Sequence, residues 1–217
     1  MSANPTSAEA ATLNDAEAGL PKVLLIGGVS HLGKSTLAQR LADALGWRYL
    51  STDQLARHPG RPWRGDAQPL PADVVAHYAQ LTTAQLVESV LAHYQHNVWP
   101  IAQAIVRSHL SNPYDPPLVF EGSALMPVLV AAAAFQRVSF VCLHGSDALI
   151  EQRILQSSGF VRADRQQQQL IQAFLQRSLV LNELTLAAAR TTGCVLLDAQ
   201  DPEVYQRLRA SIDQPSG

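Results

Sequence analysis

Residues 22–27 (KVLLIG) are almost wholly apolar and end in glycine, the pattern of a parallel strand buried on both faces. Residues 34–45 (KSTLAQRLADAL) switch to helical spacing, with Leu37, Leu41 and Leu45 on one face and Gly46 placed to end the turn. A second short strand is predicted over 47–51. From Arg57 to Pro71 four prolines and two glycines exclude a regular helix or a central strand. Helical spacing returns over 72–111, as a short helix from Ala72 to Tyr78, a longer one from Thr83, and a third from about Val98 to Leu110. Asn112 to Pro117 breaks the run. Further strands are predicted over 118–120, 138–143 and 194–197. Helices are predicted over 124–135, 147–156, 166–190 and 202–211, and a polar, flexible segment over 157–165.

Strands alternating with helices imply an α/β chain with a parallel sheet and right-handed crossovers. The length, 217 residues, suits one such domain, here 21–213, with a helical insertion over about 66–115. Residues 1–20 hold Glu9, Asp15 and Glu17 but no lysine, arginine or long apolar run, so a disordered tail is expected rather than a signal peptide. No apolar stretch approaches 18 residues, so no membrane span is expected.

The net charge of −2 lacks the strongly basic balance of a nucleic-acid binder. Cys142 and Cys194 lie in apolar runs and read as small buried hydrophobes, compatible with a reducing cytoplasm. The only lysines are Lys22 and Lys34. His77, His93, His96 and His109 make no convincing metal-ligand set; His93 and Tyr94 are expected to decorate helix faces.

Directly after the first strand stands Gly28-Val29-Ser30-His31-Leu32-Gly33-Lys34-Ser35, which fits G-x-x-x-x-G-K-[ST] at every fixed position. Glycines let the loop curl so that its amides face phosphate oxygens, and the next helix presents free N–H groups and a positive dipole end. Lys34 adds a mobile point charge for the β- and γ-phosphates, Ser35 a hydroxyl for Mg²⁺, and Thr36 continues the loop into the helix. A chance match in a chain this long has odds of roughly one in a hundred. A bound nucleoside triphosphate is therefore expected on residues 28–36. The guanine-reading Asn-Lys-x-Asp signature is absent, since no lysine follows Lys34. That sets aside the GTPases that carry it and leaves ATP against GTP open.

Together GGVSHLGKST, YLSTDQLARHP and LVFEGSALMP resemble the P-loop small-molecule kinase group that includes the 2-phosphoglycerate kinases. Nucleoside monophosphate, shikimate and gluconate kinases are more distant relatives. The resemblance covers roughly residues 22–205. It implies a three-layer sandwich with a five-stranded parallel sheet in the order 2-3-1-4-5, a helical substrate-binding insertion and a lid at about 156–166. It implies ATP and Mg²⁺ as cofactors and a small-molecule phosphate acceptor, in a monomer or homodimer.

The resemblance sets Asp53 beside the acceptor hydroxyl as base or orienter; capping of the next helix by Asp53 or Thr52 is the alternative. It sets Glu121, with Ser35, near Mg²⁺; a strand-end charge facing solvent is the alternative. Arg57, Arg61 and Arg64, with His58, crowd the proline-rich loop, where several guanidinium forks suit an anionic acceptor or simply a solvated loop. Arg162 and Arg165, ahead of Arg153, are the lid arginines the resemblance implies would close on the phosphates. Arg177 is a further candidate for the same cleft, and Ala199 to Pro202 stand where relatives contact adenine. An ATP-operated switch without a small acceptor, or a toxin- or antibiotic-type phosphotransferase, are the rival readings.

Overall fold

Alternate residues of the first strand go to opposite faces of one parallel sheet, and the two faces carry separate cores. The computed structural model describes residues 21–56, 58–64, 69–210 and 212. Strands β1 (Val23–Gly27), β2 (Arg48–Ser51), β3 (Leu118–Glu121), β4 (Val138–His144) and β5 (Val195–Asp198) pair in the order β2-β3-β1-β4-β5, all parallel. This is the order expected from the resemblance.

Leu24 and Ile26 of β1 join one core with Ala38 and Leu41 of α1 (Lys34–Leu45), Ile150 and Ile154 of α6 (Asp147–Ser157), and Phe174 of α7 (Arg165–Thr191). Val23 and Leu25 join the other with Phe120 of β3, Ala102 and Val106 of α4 (Trp99–Ser111), and Val130 of α5 (Pro127–Ala133). All four β1 side chains are fully buried, which explains why the strand reads as a continuous apolar run rather than an alternation.

Between β2 and β3 the chain runs through α2 (Ala72–Gln80), α3 (Thr83–His93) and α4. Thr82 opens α3 with a capping box closed by Gln85. A π-turn over Tyr94–Val98 joins α3 to α4. The expected insertion is thus partly sheet cover: α4 packs under β1, whereas α2 and α3 lie against α7. The remaining helix, α8 (Val204–Ala210), follows β5. The predicted helix over 124–135 shrinks to Pro127–Ala133, because Pro127 takes the first helical position after extended Met126. In the 157–165 segment a 3₁₀ turn, Phe160–Arg162, is bounded by α6 and by Asp164, which caps α7. Among the described residues no helix is long and apolar enough to cross a membrane.

Candidate active site

The site lies at the carboxyl end of the sheet, where β1 and β3 stop side by side. After β1 the chain turns at Gly28 with φ +119°, and a Cβ there would meet the carbonyl oxygen of Leu143 at 2.3 Å. Only a glycine lets the loop pass this close to β4. The loop curls through left-handed His31 and Gly33 into α1. That helix has no side-chain cap and no acid in its first turn, so its leading amides face the loop without a protein anion.

Lys34 is buried, and its ammonium donates to the Val29 carbonyl at 2.8 Å and the Ser123 hydroxyl at 3.3 Å. Burial pulls its pKa below the usual value, against the opposing pull of Glu121 and Asp53. Ser35 donates through Oγ to Glu121 Oε1 at 3.1 Å, and the Tyr49 hydroxyl donates to the same oxygen at 3.0 Å. Glu121 is only 2% exposed, which disposes of the reading that it faces solvent. Gly122 beyond it, φ +153°, lies so close to Thr52 that a Cβ would fall 1.7 Å from its Oγ1.

A buried carboxylate and a neighbouring hydroxyl, with no ion pair to Glu121 among the described residues, form an oxygen donor set that fits a hard divalent cation such as Mg²⁺. Tyr49 was not legible as part of it. It stands two residues before Ser51, the β2 partner of Glu121, and so shares that face; nothing in WRYLS marks it beyond its place in a strand.

Asp53 sits in a 3₁₀ turn over Thr52–Gln54 whose cap is Ser51, accepting from the Asp53 amide at 3.3 Å. Capping therefore falls to Ser51, and Asp53 lines two adjoining cavities. One, of about 160 Å³, is bounded by Lys34, Ser35, Thr36 and Glu121. The other, of about 510 Å³, is walled by Trp63, Arg64, Tyr94, Phe174 and Arg177. Ser30, Asp53, Arg61 and Ser123 line both. A third cavity, about 690 Å³, opens beyond the loop between Thr36, Arg153 and Ala199. Ala199, the first residue of the stretch expected to stand where relatives contact adenine, is on its wall.

The cavity of about 510 Å³ holds most of what sequence reasoning missed. His93 and, from the π-turn, Tyr94 and Val98 line its wall; contrary to expectation, His93 is buried and Tyr94 only half-exposed rather than displayed on an outer helix face. π-turns gather at functional sites, yet no sequence pattern announces one. Burial pushes the Tyr94 hydroxyl above its usual range. Arg177 is 4% exposed, donates to the Tyr78 hydroxyl at 2.9 Å and stacks 4.4 Å from the Phe174 ring centre, while its Nε has no partner. His58 lies 5.4 Å from His77 and 4.9 Å from His93, ring to ring. Burial, then Arg177, lower its pKa to about 3. Its Nδ1 accepts from the Gly60 amide at 3.2 Å, which leaves the proton of the neutral ring on Nε2 and removes that nitrogen as a metal ligand.

The other predicted arginines divide by place. Arg64 is exposed and lines the cavity of about 510 Å³; Arg57 lies outside the described residues. Arg162 and Arg165 are exposed and line none of these cavities. Arg153 instead donates to the His31 carbonyl at 2.9 Å. The His31 ring sits 5.7 Å from Trp63 and 5.9 Å from Phe174, with Nε2 3.1 Å from the Ser157 hydroxyl. Burial first, and then the charge of Arg61, lower its pKa to about 4.

No family model matches the chain, and no curated protein matches it. Among solved structures it is similar to a gluconokinase from Sinorhizobium meliloti 1021, at 20% identity over 89% of this chain and 91% of that one, TM-score 0.48. A sugar kinase from Janibacter sp. HTCC2649 gives 20% identity over 88% and 94%, TM-score 0.49. The shikimate kinase from Aquifex aeolicus vf5 gives 15% over 88% and 96%, TM-score 0.48. None of these three is a 2-phosphoglycerate kinase. Similarity this distant assigns no substrate, and none is taken from it.

Proposed function

We propose that this chain is an ATP-dependent kinase that passes the γ-phosphoryl group to a hydroxyl of a small anionic acceptor. The observation that carries the reading is the wall the two cavities share. A pocket lined by Lys34, Ser35 and Glu121 adjoins a larger chamber at Asp53, Ser30, Ser123 and Arg61, which line both. A nucleotide switch needs the first cavity and has no use for the second.

The loop amides of residues 28–36 grip the β- and γ-phosphates, and Lys34 leaves the Val29 carbonyl for a γ-oxygen. Ser35 and Glu121 would hold Mg²⁺, which when bound neutralises charge on the β- and γ-oxygens. Asp53 orients the acceptor hydroxyl and takes up its proton. The acceptor oxygen bonds to the γ-phosphorus, the bond from that phosphorus to the β–γ bridging oxygen breaks, and ADP departs with the bridging electrons. Arg64 and buried Arg177 give the chamber its preference for an acceptor with a carboxylate or phosphate. Positioning and charge matching supply most of the rate in such transfers, and the site provides both.

ADP release coupled to a dye, run with Mg·ATP over hydroxy acids, sugar acids, nucleosides and phosphorylated acceptors, tests this. Gluconate, shikimate and 2-phosphoglycerate belong in the panel. At least one anionic acceptor is expected to raise ADP production well above the acceptor-free rate and to gain mass by one phosphoryl group. A panel in which no compound does either, with ATP bound tightly and left intact, favours the switch instead.

A further inference from the structure

Arg61 is the one cationic side chain, among the described lining residues, shared by the phosphate pocket and the acceptor chamber. Its backbone is fixed on both sides. The Tyr78 hydroxyl, from α2, donates to the carbonyl of Gly60, and the Gln167 side-chain amide, from α7, donates to the carbonyl of Pro62. Pro62 is buried, and the next residue, Trp63, packs edge-on against Phe174 with ring centres 4.9 Å apart. An exposed guanidinium thus stands on a clamped stretch of chain at the junction of the two cavities.

The other arginines near the cleft are placed differently. Arg177 is engaged with Tyr78 and Phe174 and lines the acceptor chamber but not the phosphate pocket. Arg153 holds the His31 carbonyl on the nucleoside side. Arg162 and Arg165 point to solvent from the turn before α7 and from its first residue.

We propose that Arg61 is the catalytic arginine that contacts the phosphoryl group midway between ADP and acceptor. The assignment rests on the kinase reading above. A phosphoryl group in transit carries its charge on three equatorial oxygens at the boundary between donor and acceptor sites. A fixed guanidinium there meets that charge better than it meets bound ATP, and such a difference raises turnover rather than affinity. Supplying the arginine from the acceptor loop also means that the loop which receives the acceptor completes the site.

Mg·ADP affinity, with and without aluminium fluoride as a mimic of the transferring group, separates the roles. Wild type is expected to bind ADP with fluoride more tightly than ADP alone. R61A is expected to keep ADP affinity within about two-fold and to lose tightness for the fluoride complex by on the order of 10²-fold or more. R61K should recover only part of the loss, because lysine lacks the planar fork. The assignment is overturned if R61A holds the fluoride complex like wild type, if it loses both affinities equally, or if the loss appears in R162A/R165A instead. It is overturned too if wild type binds Mg·ADP yet gains nothing from fluoride. A wild type that binds no Mg-nucleotide brings down the kinase reading itself, an outcome distinct from all of these.

Discussion

Lys34 makes a sharp test because its ammonium is held by neutral oxygens, the Val29 carbonyl and the Ser123 hydroxyl. Lys34→Met keeps the apolar stem and removes the charge. Turnover is expected to fall by ~10²-fold or more, with the fold retained by circular dichroism. Tyr49→Phe is subtler, since it strips one of the two hydroxyls that hold Glu121 Oε1. An outer-shell loss of this kind weakens metal use by roughly 10–100-fold. The Mg²⁺ concentration for half-maximal rate should rise by that order while the rate at saturating Mg²⁺ changes less. Of these residues Lys34 and Ser35 were singled out by the loop pattern and Glu121 by the resemblance. Tyr49 and Ser123 join them through strand register and loop return, which no local pattern encodes.

At the scale of elements, strands and helices were legible wherever apolar spacing was regular, as in β1, α1 and the long α7. The ends moved where a proline or a cap outweighed periodicity, as at Pro127. The π-turn was not legible at all, since no local pattern marks it. Just before it, His93 packs against His58, which also meets His77, and of these three His58 and His93 line the cavity of about 510 Å³. Burial lowers the pKa of each, so the fold binds fewer protons than the unfolded chain once pH drops below 6.5, the usual histidine value. The neutral rings carry no penalty above that point. Stability is lost as pH falls from there toward about 3, the depressed value of His58. His58→Asn retains an acceptor for the Gly60 amide and cannot charge. Urea midpoints measured between pH 7.5 and 4.5 should therefore fall less steeply for His58→Asn than for wild type.

Across the whole molecule, the nucleotide loop, acceptor loop and α7 meet at one point, so ligand binding should be felt as global stability. Mg·ATP at a hundred times its dissociation constant adds about 2.7 kcal/mol to a native state that alone binds it. For a chain of this size that raises Tm by roughly 5–10 °C. A thermal melt should show this shift with Mg·ATP and lose most of it in Lys34→Met. The five-strand order was readable from the alternation of strands and helices plus the resemblance. The joining of two cavities at Arg61 was not, because it depends on a proline-rich loop whose path is set by Tyr78 and Gln167, residues of two distant helices.

Trp63 lines the larger chamber, its ring 5.7 Å from that of His31 in the phosphate loop and 4.9 Å from that of Phe174. The chain's two other tryptophans, Trp47 and Trp99, pack in separate cores on opposite faces of the sheet. A protein reduced to this one indole would therefore carry a built-in optical reporter, its emission changing when either pocket fills and timing the order in which the two occupants arrive.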